Sequence, residues 1–152
     1  MTIAARMSRG SKFGVRQTGV SSYSYIGDLK TITLPEATAD QIDVSTLDSA
    51  GKVKEFISGA KDPGEIALEG NYKAADAGQN AVYGFFQSGE IFDWVVEVVA
   101  VDGETSVAKL TGQASCSSCK RVGDLTEGEI IPFTAVLKVS GETVFTPATT
   151  GA

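Results

Sequence analysis

The stretch Glu65-Ile66-Ala67-Leu68-Glu69-Gly70-Asn71-Tyr72 alternates strictly, with Glu65, Ala67 and Glu69 on one side and Ile66, Leu68 and Gly70 on the other. A period of two marks a half-buried strand, because successive side chains of an extended chain point to opposite faces. One face of this strand meets a core, and the other meets water or a partner. Upstream, Leu29 to Leu34 reads as a strand that Pro35 ends. Gln41 to Leu47 sets Ile42 and Val44 against Gln41, Asp43 and Ser45, a second half-buried strand. Between Asp48 and Gly64 the pattern lapses into DSAGKVKEFISGAKDPG, a loop longer than a hairpin requires. The two strands flanking it are candidates to pair with each other.

Downstream, strand-like runs occupy Ile91 to Val101, Thr105 to Ser115, Glu129 to Val139 and Thr143 to Phe145. VDGE joins the first two and VSGE the last two, and an Asp-Gly or Ser-Gly pair between alternating runs signals a hairpin. One helix stands between the halves. Asp76 is placed as its N-cap, Gln79 three positions later completes a capping-box pattern, and Gly89 is its stop. Ala77, Ala81, Val82, Phe85 and Phe86 form an apolar stripe able to lie on a sheet. The expected fold class is therefore mainly β (α+β), an antiparallel β-sandwich with one flanking α-helix.

With 152 residues the chain is long enough for one domain with a packed core, expected over residues 28–147. Residues 1–27, with Arg6, Arg9, Lys12 and Arg16 among Phe13, Tyr23 and Tyr25, read as an N-terminal arm, and residues 148–152 as a tail. Apolar residues at 42% and charged residues at 21% are ordinary globular usage, and 17 glycines without a period speak for turns. Nineteen acidic residues against 13 basic ones give a net charge of −6, which disfavours a nonspecific duplex-DNA binder. Nothing approaches the roughly 18 apolar residues of a membrane span, and the N-terminus lacks a signal core, so the chain reads as made in the cytoplasm. Trp94, inside IFDWVVEVV, reads as core and not as part of a sugar-binding cluster.

The sequence contains no His, which removes the usual nucleophile activator and the commonest zinc ligand together. No phosphate-cradling glycine motif is present. Acidic pairs such as Asp28 with Asp40, or Glu127 with Glu129, read as solvated surface. Neither a catalytic residue, a metal site nor a cofactor is expected, and the chain is not read as an enzyme. The Cys116-Ser117-Ser118-Cys119 motif is half a metal site at most. It follows a strand instead of opening a helix, so its thiols read as incidental, with a local disulfide or a metal or redox role as lesser alternatives.

The segment 54–72, KEFISGAKDPGEIALEGNY, resembles the signature of lambda-like phage tail tube proteins. There a basic-acidic-Phe-Ile-Pro-Gly loop leads through Lys-Asp-Pro-Gly into a strand ending Asn-Tyr. Leu34-Pro35-Glu36, Ile42-Asp43-Val44 with the following Asp48, and the helix ending Phe85-Phe86 are similar to the family pattern as well, so the resemblance runs from Leu29 to Phe145. Ser58 and Ala60 stand where the family often has Pro and Leu, and the cysteine pair is outside the pattern.

The resemblance implies a virion structural protein, the major tail tube subunit, forming hexameric rings that stack into a tube. Each subunit would lend strands to an inter-subunit β-barrel through which DNA leaves the capsid without specific binding. Implied partners are other copies of the chain, the tape measure protein, and the tail terminator and tail tip proteins. The implied location is the virion tail, assembled in the host cytoplasm. The nearest alternatives are a tail terminator or baseplate-proximal ring of the same fold and, more remotely, a virion β-sandwich binding module.

On this reading Asp43, Glu65 and Glu69 line the channel, where like charge lets DNA slide, and Lys109, Thr111 and Gln113 join them from a later strand. The loop 48–64 carries Lys52, Lys54, Glu55, Lys61 and Asp62 around Phe56 and Ile57, an apolar anchor in a charged rim, and is expected to reach the next ring. The arm is expected to order on assembly.

Overall fold

A computed structural model of the chain describes residues 10–48, 50–99 and 106–149. In chain order its elements are β1 (Lys12–Gln17), β2 (Ser24–Tyr25), β3 (Leu29–Thr33), β4 (Thr38–Asp43), β5 (Phe56–Asp62), β6 (Glu65–Asn71), α1 (Ala77–Ser88), β7 (Phe92–Val98), β8 (Ala108–Lys120) and β9 (Pro132–Thr146). Seven strands form one sheet in the order β2-β1-β7-β8-β9-β6-β3, and β4 pairs with β5 in a separate two-stranded sheet. Every pairing is antiparallel.

The alternation in 65–72 does in the structure what it predicts. Ile66, Leu68 and Gly70 are buried while Glu65, Ala67 and Glu69 are exposed. The large sheet curls so that its two halves enclose one core. Phe13, Val15, Phe92, Trp94 and Val96 come from the β1–β7 half, and Ile66, Leu68, Phe133 and Leu137 from the β6–β9 half. Each fully buried side chain of this size contributes about 1.5–3 kcal/mol, so this inward face carries the fold. Phe13 stacks on Trp94, and Phe85 of α1 stacks on Phe92 at 4.5 Å between ring centroids, fixing the helix to β7.

Helix α1 begins and ends where the sequence predicts. The Asp76 side chain accepts from the Gln79 N–H at 2.9 Å, and Gly89, at φ 72°, donates its N–H to the Phe85 carbonyl. The Gln79 side chain does not turn back to the Asp76 N–H as a capping box would have it. Fully buried, it accepts from the Lys73 N–H and donates to the carbonyls of Gly27 and Asn71. Asp76 also accepts from the Gly27 N–H, so the helix N-terminus is tied to the chain entering β3. Gly78 permits this closeness: a Cβ there would fall 2.5 Å from the Tyr25 carbonyl oxygen. The buried face is Gly78, Gln79, Val82 and Phe85, rotated from the expected stripe, and Phe86 is left partly exposed.

Several boundaries differ from expectation. Part of the expected arm is sheet, since β1 buries Phe13 and Val15 against β7, and apolar alternation there outweighs the Ser and Gly around it; residues 1–9 lie outside the described residues. The second strand is Thr38–Asp43 instead of Gln41 to Leu47. The strands flanking the long loop do not pair, because β6 is already occupied by β3 and β9. Seven residues of that loop are β5, which folds back on β4. VSGE is no hairpin turn: β9 runs through it, and residues 141–143 form a bulge opposite Gly112 because β8 is long enough to pair on both sides. VDGE overlaps residues outside those described, but β7 and β8 on either side pair as expected.

Candidate assembly surfaces

The outer, polar side of the curled sheet gathers five of the six residues expected to line a channel. Glu65 and Glu69 occupy exposed positions of β6, and Lys109, half-buried Thr111 and Gln113 alternate on the same face of β8. The face carries both signs of charge. Lys109 lies 3.7 Å from Glu97, whose carboxylate also accepts from the Tyr25 hydroxyl at 2.9 Å. Gln113 donates to Asp93, which holds Arg16 at 3.1 Å, and the Arg16 guanidinium stacks over Tyr23. Lys138 stands directly across from Glu65. The sixth residue, Asp43, belongs to the β4–β5 pair instead. There it accepts from the Ser45 N–H at 2.8 Å, and that bond lowers its carboxyl below the usual range.

The β4–β5 hairpin projects from the body without entering the core. Its register sets Ile42 opposite Ile57 and Asp43 opposite Phe56. Beyond the pairing, Val44 donates to the Glu55 carbonyl and the Glu55 N–H donates to the Ser45 hydroxyl, closing the hairpin below a short turn at Ala50–Lys52. Of the residues expected in the loop, Phe56 and Ile57 are about half exposed, at 52% and 53%. Lys54, Glu55 and Lys61 are exposed around them, and Asp62 is at the root, paired with Lys138. Sequence reasoning missed the extent of the patch: Ile42, which alternation assigns to a core face, Leu47 and Val53 are exposed too. The lapse of periodicity from Asp48 onward was the available signal.

Two further features were not singled out from sequence. The loop between β8 and β9 exposes Val122, Leu125 and Ile130 among Asp124, Glu127 and Glu129. Among the described residues the large sheet ends at β2 on one side and β3 on the other, so within them both edges present open backbone to a further strand. The cysteines lie within β8, astride a bulge between Cys116 and Ser118, both thiols free.

A family model described as lambda phage tail tube protein matches residues 10–145. No curated protein matches the sequence. Among solved structures, the fold superposes on a chain from the tail of the empty GTA particle, determined with C6 symmetry, at a TM-score of 0.72 and 20% identity, covering 93% of this chain and 99% of that one. A chain of the six-fold symmetrised anti-feeding prophage baseplate gives 0.73 at 12% identity, covering 97% and 98%. A chain of the SPP1 tail tube gives 0.69 at 17% identity, covering 94% and 80%. At these identities the three likenesses are likenesses of fold.

Proposed function

Since the chain belongs to the lambda phage tail tube protein family, we propose that it builds the tube itself, as hexameric rings stacked into a hollow conduit for DNA. It is a structural protein of the virion tail. The family match across residues 10–145 carries this reading. The fold adds its support through the edges at β2 and β3: the described residues of one subunit leave both strand edges unpaired, and a closed ring of copies would pair them. The neighbours with C6 or six-fold symmetry favour six copies per ring.

Within such a ring the polar face bearing Glu65, Glu69, Lys109, Thr111 and Gln113 is the one suited to water and passing DNA. The opposite face is committed to the core. Its mixed charge suits a polyanion that must slide without being held: uncompensated lysines would bind phosphate, and here Lys109 and Lys138 are answered by Glu97 and Asp62. Asp43 faces the lumen only if the hairpin leans inward. The hairpin, with Phe56 and Ile57, makes the contact to the next ring. The tape measure protein and the tail terminator and tip proteins are the partners a tube requires inside and at its ends.

A second reading, a single ring at the baseplate or terminator, is favoured by the likeness to the anti-feeding prophage baseplate chain. Negative-stain microscopy of the concentrated purified protein separates the two. Long hollow tubes are expected; isolated rings would replace the tube reading with the ring reading, and a stable monomer at all concentrations would end both.

A further inference from the structure

We propose that the loop of residues 121–131, between β8 and β9, is the receptor for the β4–β5 hairpin of the copy in the next ring. This rests on the reading of the chain as a stacking tube subunit, and names the surface that the hairpin meets.

The placement of the two patches is the first argument. The hairpin leaves the body where Asp62 passes through Pro63 and Gly64 into Glu65, the first residue of β6. The last residue of β6, Asn71, pairs with Pro132, and the Tyr72 N–H donates to the Ile131 carbonyl at the end of the loop. The roots of the hairpin and of the loop therefore sit at opposite ends of β6, about 20 Å apart at the rise of an extended strand. A surface at each end, related head to tail, is a heterologous contact, which along a stacking axis repeats from ring to ring instead of closing on two copies. A hairpin-to-hairpin contact would instead close dimers and leave the loop uncovered.

Composition is the second argument. The hairpin exposes Phe56 and Ile57, and the loop exposes Leu125 and Ile130. Around these, Lys54 on the hairpin and Glu127 and Glu129 on the loop take part in no ion pair among the described residues. One docking event buries both apolar sets and sets the lysine against the carboxylates, the usual order of an apolar centre within a charged rim.

The third argument is preorganisation. Both ends of the loop are tied to the body, and Leu125 and Ile130 between them stay exposed. Arg121 stacks over Tyr83 at 4.6 Å and donates to Asn80, Lys120 pairs with Asp124 at 2.6 Å, and the Gly123 N–H donates to the Pro132 carbonyl. A turn from the Thr126 carbonyl to the Glu129 N–H holds the tip. Leu125 and Ile130 are thus held outward before any partner arrives, which lowers the ordering cost of docking.

The test is a photo-crosslinking benzophenone side chain introduced at the position of Phe56, with assembled tubes irradiated and the joined peptides identified by mass spectrometry. Crosslinks to residues 121–131 of another copy are expected. Tubes whose crosslinks fall elsewhere would overturn the inference and leave the tube reading intact, whereas failure of the unmodified protein to form tubes would overturn both. In parallel, Leu125→Asp with Ile130→Asp should keep the wild-type melting profile and lower tube yield at least tenfold. Glu127→Lys with Glu129→Lys should weaken polymerisation, and Lys54→Glu should restore it. Unchanged tube yield in both variants would also overturn the inference.

Discussion

Lys138 Nζ lies 2.8 Å from Asp62 Oδ1, so the middle of β9 holds the root of the hairpin that leads into the start of β6. The hydrogen bond from Lys138, with a second from the Gly64 N–H, holds the Asp62 carboxyl below its usual range, and the same pairing raises Lys138. Both side chains are well exposed, and such pairs add little to global stability, so the contact acts on orientation. Asp62→Asn is expected to shift the melting temperature by less than about 2 °C. It should nonetheless speed tryptic cleavage of the hairpin after Lys52 or Lys54 several-fold. With the folded carboxyl depressed, the contact is complete above the ordinary carboxylate value of 3.8 and is lost as pH falls through the lower folded value. Amide chemical shifts of Asp62 and Gly64 should accordingly titrate below the ordinary carboxylate value.

Gln79 is the polar knot of the fold. It is fully buried, and its one side chain satisfies the Lys73 N–H and the carbonyls of Gly27 and Asn71. Gln79→Leu keeps the volume and strands all three backbone groups, so a loss of about 2–4 kcal/mol is expected in urea unfolding. Gln79→Glu should cost more, because it removes both donors and buries a negative charge beside two carbonyl oxygens.

How far the sequence could be read follows from where the deciding interactions are local. The alternation of 65–72 and the Asp76 and Gly89 caps are set by neighbours in the chain, and the structure keeps them. The rotation of the helix face was not legible, because it depends on Gly78 meeting Tyr25 and on Gln79 reaching Gly27 and Asn71, contacts between distant segments. The same holds for VSGE, which looks like a turn until a long β8 is present to pair through it. Of the candidate sites, Phe56 and Ile57 were legible as an exposed pair because charges surround them. Ile42 was not, because alternation cannot distinguish a strand over a core from a strand in a free hairpin.

The polar face leads to a test of DNA passage. Glu69 is exposed on β6 and sits between Thr31 and Thr134, with no charged residue directly opposite it in either register. Glu69→Lys would therefore add an unanswered positive charge, six times per ring if the ring is hexameric. Tails of normal length are expected, since the side chain takes no part in the core. Genome ejection triggered in vitro should slow and show a steeper dependence on salt, as phosphate contacts do. Ejection at the wild-type rate and salt dependence would place β6 away from the lumen.

The cysteines offer a probe of the bulge in β8. Cys116 is buried in the core and donates to the Ser118 carbonyl, and its hydrogen bond with Cys119, with burial second, pushes its thiol up. The same bond lowers Cys119, assisted by the positive charge of Arg121. Iodoacetamide should therefore label Cys119 first, with a rate that rises at a lower pH than the ordinary thiol value of 9.0, and reach Cys116 only on unfolding. Cys116→Ala removes the hydrogen-bond partner and should move the Cys119 profile upward. Arg121→Gln should move it in the same direction by less, because charge at a distance is screened where a direct hydrogen bond is not. Equal labelling of both thiols in the folded protein would show that the bulge does not hold the pair in this arrangement.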